Sequence, residues 1–393
     1  RKRGREFNEE TPMTTPPTTP PTTARKPPFR ADHVGSLLRP ASVVEARKKF
    51  YTDAPAISAD ELREIEDAAI ADAINMQEDV GLQVATDGEY RRYFWHYDFM
   101  GMLTGFEMET RGVGIQFEGN TLPPLYPTIK GKLDFPDDHP MIDHYKYVAS
   151  HATVTPKISI PGPSCCHFRT APDDIHPVEY QDIDFLFTDL AATYKKAVRA
   201  FYDAGCRYLQ MDDIFFAYLC DPKHRAAKEA EGHDPDYLID RYAWVMNEAI
   251  KDRPDDMTIG MHMCRGNFMS THAAEGGYDA AADAVFNKTG VDIFFMEYDT
   301  ERAGGLEPLG LLSKGTQRVM PGFVTTKTAG LESVDDLKRK FDEAAKYVDM
   351  DQLGLAPQCG FASTEHGNKI TYDDQRRKLD LIVKTAGEIW GDA

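Results

Sequence analysis

Residues 184–212 read DFLFTDLAATYKKAVRAFYDAGCRYLQMD, and the class of fold is visible in this stretch. Its first part, 184–205, spaces apolar residues as an amphipathic helix does and ends at a glycine. Its second part, 206–212, is a short apolar run that ends in a carboxylate, which is typical of a buried strand. A helix that leads directly into a buried strand indicates a parallel α/β sheet.

The same alternation of helical and strand patterns continues on both sides of this unit. A helix is predicted from a capping box at Ser58 and Glu61 to Gly81. Further helical patterns cover 236–252, 334–348 and 373–390. The strand candidates are 31–36, 83–88, 153–161, 206–212, 257–263, 291–298, 317–326 and 353–359.

Eight strands, each followed by a helical segment, predict an α/β fold of the (β/α)₈ TIM-barrel type. A long insertion rich in aromatic residues, Gly and Pro is expected after the second strand, over about 90–150. The alternative architecture is an open doubly wound sheet. It is disfavoured because neither a GxGxxG nor a GxxxxGK[ST] phosphate loop follows the first strand.

The predicted domain organisation is a leader over 1–28 and a single barrel domain over 29–393. The leader begins with the basic stretch RKRGREF and continues with the Thr/Pro run TPPTTPPTT. Such a segment has too few apolar side chains to join a core. We therefore expect it to be disordered and to lie outside the fold.

Composition narrows the classes of function. The 393 residues carry a net charge of −19, which argues against a nucleic-acid or anionic membrane partner. No apolar run approaches the roughly 18 to 20 residues of a membrane helix. Six irregularly spaced cysteines do not form a disulfide framework, so a reducing cytoplasmic location with free thiols is expected. Small-molecule chemistry fits this composition.

Reactive side chains cluster at the predicted strand ends, where a (β/α)₈ barrel carries its active site. The strand-end stretches are HVGS (33–36), DGEYRR (87–92), MDD (211–213), HMC (262–264), MEYD (296–299), TTK (325–327) and QCG (358–360). Seven of the eight strand candidates thus end in polar or thiol groups. The predicted mouth of the barrel is therefore a candidate active site.

Four of these strand-end residues are of types that can bind zinc. His262 and Cys264 alternate along one strand, so both side chains can reach one ion, while Glu297 and Cys359 end neighbouring strands. Two thiolates favour Zn²⁺ over Mg²⁺ or Ca²⁺. The other interpretation, a core histidine beside a buried cysteine, accounts for a lone His-x-Cys pair. It does not account for four zinc-compatible residues at three strand ends.

Several motifs together resemble one known family. They are HVGSLLRP (33–40), TDGEYRR (86–92), KGKLDFPDDHPM (130–141), PKISIPGP (156–163), FYDAGCRYLQMDD (201–213), HMCRGNF (262–268), FFMEYDTER (294–302) and PQCGFAST (357–364). From about residue 30 onward the chain resembles the catalytic C-terminal barrel of cobalamin-independent methionine synthase. It resembles still more its single-barrel relatives, which are 5-methyltetrahydropteroyltriglutamate–homocysteine methyltransferase-like. The resemblance implies a methyltransferase with the same four zinc ligands.

The resemblance also implies how a thiol substrate would be held. Homocysteine would contact the backbone of Val34, Gly35 and Ser36, and its ammonium group would pair with the carboxylates of Glu89 and Asp212. The alternative for these two carboxylates is an ordinary strand-end role, paired with a nearby arginine or a loop amide.

Two features of this sequence depart from the family pattern. The complete synthase has a second barrel that helps to bind its folate donor, and no second barrel is expected within this chain, which leaves the donor open. A family histidine after strand 7, associated with protonation of the leaving folate, is replaced by Lys327. Lys327 can still act as an acid, particularly if desolvation lowers its pKa, and the alternative is a loop lysine that faces solvent.

The sequence thus predicts a zinc-dependent thiol alkyltransferase, with homocysteine or a similar thiol and a methyl or alkyl donor as partners. One alternative is an enzyme that adds a thiol such as coenzyme M to an epoxide. Another is a zinc- or thiol-binding protein without catalysis. The aromatic run 93–97 is either a lid over the thiol pocket or a local core, and Cys165-Cys166-His167 is expected to pack rather than bind metal.

Overall fold

The computed structural model describes residues 25–112, 116–117, 120–121 and 124–392. Most of the predicted leader, residues 1–24, lies outside this range. Residues 25–28 contact the main body of the protein: the Thr155 hydroxyl donates to the carbonyl of Arg25 at 2.5 Å, and Arg318 donates to that of Pro28 at 2.9 Å. Among the described residues, no helix has the length and apolar character needed to cross a membrane.

The helices and strands alternate through most of the described chain. The α-helices are α1 (Ala41–Phe50), α2 (Ala59–Asp79), α3 (Tyr97–Met100), α4 (Met141–His151), α5 (Ser164–Phe168), α6 (Ile183–Asp203), α7 (Phe215–Tyr218), α8 (Pro222–Ala230), α9 (Pro235–Ile250), α10 (Ala282–Lys288), α11 (Val334–Ala344) and α12 (Tyr372–Trp390). The strands are β1 (Val84–Ala85), β2 (Thr104–Thr110), β3 (Gln116–Phe117), β4 (Asn120–Thr121), β5 (Leu125–Asp134), β6 (Thr155–Pro156), β7 (Ile158–Pro161), β8 (Tyr208–Asp212), β9 (Thr258–Met263), β10 (Ile293–Glu297) and β11 (Arg318–Gly322).

The central feature is a parallel sheet in the order β11-β10-β9-β8-β7. Next to it, β1 pairs in parallel with β6, which immediately precedes β7. Parallel bridges join Leu353 to Val319 of β11 and Leu355 to Ala31. The Leu37 amide also donates to the Gly88 carbonyl at 3.0 Å, which links the first segment to the loop after β1. The fold is therefore mixed α/β, with the parallel segments adjacent in their chain order.

The structure differs from two of the predicted strands and from one predicted helical segment. Segments 31–36 and 353–359 form isolated parallel bridges instead of regular strands. Gly35 with φ 129° interrupts extended backbone in the first, and Pro357 lacks an amide donor in the second. The segment after β10 forms 3₁₀ turns, Glu301–Ala303 and Glu307–Leu311, and no α-helix, since it contains two adjacent glycines and a proline.

The region predicted as an insertion, 90–150, contains α3, α4 and two antiparallel strand pairs, β2 with β5 and β3 with β4. A parallel bridge between Ile129 and Ile175 joins it to the segment that follows α5. The insertion is thus attached to the chain that leaves the carboxyl end of β7, the same end at which the candidate site residues lie.

Helix α6 shows how the quoted sequence forms its layer. Its apolar stripe, which includes Leu186, Leu190, Tyr194 and Phe201, is buried, while charged side chains occupy the opposite face. Each fully buried side chain of this size stabilises the fold by about 1.5–3 kcal/mol. The Gly205 turn then leads into β8, whose five residues are all buried. Helix burial thereby orients the strand that ends at Asp212.

The predicted capping box at the start of α2 is present. The Glu61 amide donates to the Ser58 hydroxyl at 3.2 Å, and the Ser58 amide donates to the Glu61 carboxylate at 2.8 Å. We expect Ser58→Ala to lower the free energy of unfolding by about 1 kcal/mol, because a helix amide loses its acceptor. Chemical denaturation measures this, with Ser42→Ala, an exposed serine inside α1, as the control. Equal unfolding midpoints for both variants would contradict it.

Candidate metal centre

Three predicted ligands converge at the carboxyl end of the sheet. His262 is in β9, Cys264 directly follows β9, and Cys359 comes from the segment beside β11. Their ligand atoms all lie within 4.8 Å of one another, and the two Sγ atoms are 3.5 Å apart. All three side chains are buried. Two thiols and an imidazole this close together form a donor set that suits a thiophilic divalent cation such as zinc.

The three groups share protons through short contacts. The Cys264 and Cys359 sulfurs are in hydrogen-bond contact, which lowers the pKa of Cys359 well below its usual value and raises that of Cys264. Burial lowers the pKa of His262, but contacts with Asp212 and Cys359 outweigh it and raise the pKa to about 10. The cluster thus holds a thiolate beside an imidazolium. A bound divalent cation would replace the protons on Cys264 and His262.

Glu297, the fourth predicted ligand, is placed differently. It ends β10 and is fully buried, but lies outside the group of three. Its Oε2 accepts the Arg265 amide at 2.7 Å, and its Oε1 forms ion pairs with Arg302 and, at 3.5 Å, with Lys327. Burial raises the pKa of Glu297, but these cations outweigh it and lower the pKa to about 2. Glu297 is therefore ionised, and its role as a ligand remains a prediction.

Lys327 is half-buried beside Glu297, and its side chain is 11% exposed. Burial lowers its pKa, but the negative charges of Glu297 and Asp299 outweigh that effect, so the pKa is raised. Desolvation therefore does not bring the pKa of Lys327 below its ordinary value, because the Glu297 carboxylate, which the sequence did not reveal, lies 3.5 Å away. In this structure Lys327 keeps its proton and neutralises Glu297. Its role as an acid toward a leaving group remains a prediction.

A cavity adjoins the three converging ligands. Its lining comprises Val34, Ser36, Glu89, Phe94, Trp95, His96, Arg169, Asp212, Ile214, Tyr218, His262, Cys264, Gly266, Asn267, Phe268, Cys359, Gly360, Ser363 and Thr364. Four of the predicted substrate contacts are thus beside the metal cluster. Gly35 is absent from the lining, and its carbonyl accepts the Thr86 hydroxyl at 2.7 Å. Gly35 forms the turn between Val34 and Ser36, both of which line the cavity.

Glu89 is held in a strained turn. Gly88 and Glu89 both have φ of 63°, a left-handed conformation that is costly for a residue with a side chain. One carboxylate oxygen accepts the Ser159 hydroxyl at 2.9 Å, and the other has no hydrogen-bond partner in the described part of the chain. Burial raises the pKa of Glu89 to about 7. A buried, unpaired carboxylate oxygen at a cavity wall suits a cationic ligand group.

Asp212 connects the cavity with the metal cluster. Its Oδ1 accepts a hydrogen bond from the side-chain amide of Gln210 at 2.8 Å and lies 3.4 Å from Nδ1 of His262. The same Gln210 amide group donates to the Val34 carbonyl at 2.5 Å. Asp212 therefore orients the imidazole and directs its other nitrogen, Nε2, away from the carboxylate. The sequence predicted substrate binding for Asp212 and did not predict this contact with His262.

Several lining residues were not predicted as site residues. Arg169 follows α5, and Tyr218, Asn267 and Phe268 come from the loops after β8 and β9. The lid interpretation of the aromatic run agrees with the presence of Phe94, Trp95 and His96 in the lining. The available signal for Arg169 was its position after the third predicted strand, at the same sheet edge. As expected, Cys165 and Cys166 are buried, and the His167 ring contacts the Tyr242 hydroxyl at 2.7 Å.

Comparisons with known proteins identify the family of this chain. A family model described as "Cobalamin-independent synthase, Catalytic domain" matches residues 29–387. The Bacillus subtilis protein YxjG is 46% identical over 93% of this chain and 96% of its own length.

Two solved structures have similar backbones. A Listeria monocytogenes protein provisionally named a vitamin-B12-independent methionine synthase has a TM-score of 0.74 and 37% identity, covering 94% of this chain and 100% of its own. A B12-independent methionine synthase from Shewanella sp. W3-18-1, in complex with selenomethionine, has a TM-score of 0.67 and covers 92% of this chain and 97% of its own. At 19% identity the latter likeness concerns the fold alone. Because the family model matches nearly the whole length of this chain, the chain belongs to the cobalamin-independent methionine synthase family of methyltransferases.

Proposed function

We propose that this protein is a zinc-dependent thiol methyltransferase whose acceptor is homocysteine or a closely related small amino thiol. The observation that carries the proposal is the convergence of His262, Cys264 and Cys359 on one wall of a cavity that also presents Glu89 and Asp212. Two cysteines favour a thiophilic ion and a sulfur ligand, while two carboxylates suit an ammonium group. An amino thiol has both complementary groups.

The proposed architecture is a closed (β/α)₈ barrel over 29–393. The parallel neighbours run from segment 31–36 through 353–357, β11, β10, β9 and β8 to β7, and β6, which immediately precedes β7, pairs with β1. Support for closure comes from two hydrogen bonds between the first segment and the loop after β1, namely Leu37 to Gly88 and Thr86 to Gly35. In such a barrel the ends of all eight strands surround one site.

The proposed mechanism assigns a task to each part of the site. Zinc, held by His262, Cys264 and Cys359 with Glu297 as the predicted fourth ligand, would lower the pKa of the substrate thiol and so supply a thiolate at neutral pH. Glu89 and Asp212 pair with the substrate ammonium group and fix the position of its sulfur. The sulfur lone pair forms the bond to the methyl carbon, and the donor's leaving atom keeps the electrons of the bond that breaks.

The remaining lining residues restrict the approach of water and donor. Phe94, Trp95 and Phe268 form apolar surface around the cluster, so a bound thiol is shielded from solvent. Ser36 and the backbone next to Val34 are the proposed contacts of the substrate's other end. The same need for reduced thiols supports a cytoplasmic location for the enzyme.

The proposal is tested by metal analysis together with a donor screen. The full-length protein is assayed with homocysteine against mono- and polyglutamyl methylfolate, methylcobalamin and sulfonium donors, with epoxides as a separate arm. About one zinc per chain and methionine from at least one methyl donor are the expected results. Thioether formation from epoxides alone would replace the proposal by the thiol–epoxide alternative. Zinc and thiol binding without turnover would replace it by the non-catalytic one.

The contact between Asp212 and His262 gives a separate prediction. We expect Asp212→Asn to weaken zinc binding by about 10- to 100-fold, because the imidazole loses the carboxylate that orients it and raises its basicity. Competition with a chromophoric chelator measures the affinity. Asp240→Asn, which changes an exposed carboxylate paired with Lys288, is the matched control. Unchanged affinity in Asp212→Asn would exclude an orienting role.

A further inference from the structure

The cavity has an arginine that the proposed chemistry does not use. Arg169 follows α5 at the carboxyl end of β7 and lines the same cavity as Cys264 and Cys359. Its guanidinium packs over the rings of Phe215 and Tyr218, at 5.1 and 5.9 Å from their centroids. These stacking contacts hold the cation in place at the cavity wall.

Arg169 is a half-buried cation without a protein counter-ion. Over the residues that the structure describes, its guanidinium forms no ion pair within 4 Å, and its Nε, which is buried, has no hydrogen-bond partner. The Nε of Arg47 also lacks a partner, but the guanidinium of Arg47 is paired with Glu66 at 2.8 Å. Arg265 donates to the carbonyls of Gly276 and Ala303, each at 2.7 Å. A half-buried guanidinium that has an unpartnered Nε and no counter-ion among the described residues favours an anionic ligand.

The cavity therefore has two charged sides. Glu89 and Asp212 contribute negative charge next to the metal cluster, whereas Arg169 contributes positive charge from the loop after β7. His96, whose two ring nitrogens also lack partners among the described residues, lines the same cavity. Burial and the charge of Arg169 both lower the pKa of His96, so this ring is neutral. Of Arg169 and His96, only Arg169 is therefore a cation.

We propose that Arg169 binds a carboxylate carried by one of the two substrates in the cavity. This inference rests on the proposed thiol methyltransferase function and specifies one ligand group for it. Guanidinium and carboxylate have matching planar geometry and form two parallel hydrogen bonds. The carboxylate belongs either to the amino thiol, whose ammonium group faces Glu89 and Asp212, or to the donor. The two sources are separated by experiment.

The first test does not depend on the physiological substrates. Iodoacetate and iodoacetamide alkylate a cysteine by the same step, in which the thiolate sulfur bonds to the CH₂ carbon and iodide leaves, but only iodoacetate has a carboxylate. Rates at Cys264 and Cys359 are measured by peptide mass spectrometry on full-length protein, with all variants in the same metal state. We expect Arg169→Gln to lower the ratio of iodoacetate to iodoacetamide rates by about tenfold.

Two further variants serve as controls for the alkylation ratio. Arg199→Gln removes an exposed arginine paired with Asp203 on α6 and should leave the ratio unchanged. Arg169→Lys keeps the charge but loses the planar stack, so an intermediate ratio is expected. Metal content and thermal melting of each variant show whether its site and fold are intact. A change of less than about threefold in both Arg169 variants, relative to Arg199→Gln, would overturn the proposal.

The second test identifies the source of the carboxylate. Binding of homocysteine and of 3-aminopropane-1-thiol, which lacks only the carboxylate, is measured by calorimetry on the zinc-loaded protein. If the amino thiol supplies the group, Arg169→Gln weakens homocysteine about tenfold and changes the carboxylate-free thiol less than about twofold. If the donor supplies it, both thiols bind as before and the KM of a carboxylate-bearing donor rises.

If Arg169→Gln changes neither homocysteine binding nor the KM of the donor, binding of a substrate carboxylate by Arg169 is refuted, even if the alkylation ratio changes. Failure of the proposed function has a different signature, since wild-type protein would then form no methionine with any methyl donor. The alkylation ratio still reports on Arg169 in that case.

Discussion

Replacing Cys359 with alanine is expected to reduce bound zinc from about one ion per chain to less than about one tenth, and to abolish methyl transfer. Cys359 is 2% exposed, its Sγ lies 3.5 Å from that of Cys264, and it contacts His262. Removing it takes away one of three converging donors, and the remaining pair cannot enclose an ion. The loss should exceed the roughly 100-fold typical of an outer-shell substitution.

The measurement is metal content after gel filtration, combined with the rate of methionine formation. Cys264→Ala is expected to behave in the same way, because both thiols belong to the same cluster. Cys220→Ala is the matched control, since Cys220 is a half-buried cysteine outside that cluster. Full zinc occupancy in either ligand variant would refute the assignment of that residue, whatever the activity.

Glu89→Gln is expected to weaken binding of an amino thiol by about 10- to 100-fold, the loss typical of a hydrogen bond to a charged group. Glu89 lines the cavity, and one of its carboxylate oxygens has no partner in the described chain and can accept an ammonium proton. Zinc content should not change, because Glu89 is outside the metal cluster. This separates a substrate-binding defect from loss of the metal.

The raised pKa of Glu89 sets the direction of a pH effect. Its pKa is about 7, chiefly because of burial, so the side chain is a neutral acid below that pH and a carboxylate above it. Affinity for the amino thiol should therefore rise as the pH increases through about 7, and this rise should be missing in Glu89→Gln. Calorimetric titrations between pH 6 and 8 measure it. Glu343→Gln, at an exposed carboxylate of α11, is the control. Identical profiles for wild type and Glu89→Gln would contradict an ionisation-dependent role.

Local patterns were sufficient to predict much of the framework. The apolar spacing of 184–205 and the run that follows it correspond to α6 and β8, and the capping box at Ser58 begins α2 as expected. These features depend on neighbouring residues, because helix periodicity and caps are properties of short stretches. Segments 31–36 and 353–359 were less regular than predicted, since Gly35 and Pro357 disturb their ladders.

The convergence of His262, Cys264 and Cys359 was within reach of sequence reasoning. His262 lies in β9 and Cys264 directly follows this strand, while Cys359 comes from a parallel segment, so a shared sheet edge brings them together. The partners of Glu297 could not be predicted from the sequence, because Arg302 and Lys327 reach this carboxylate from loops after different strands. The orientation of a loop side chain depends on packing between segments distant in sequence, and spacing does not encode it.

The sequence by itself thus determined the alternation of elements, the donor types and the sheet edge at which they meet. Only the tertiary structure decided the charge state and use of each group. It buried Glu89 in a left-handed turn, paired Lys327 with Glu297, set Asp212 against His262, and left Arg169 facing the cavity beside the cluster. The physical reason is that protonation and ion pairing depend on distance and desolvation, which arise only when remote segments of the chain pack together.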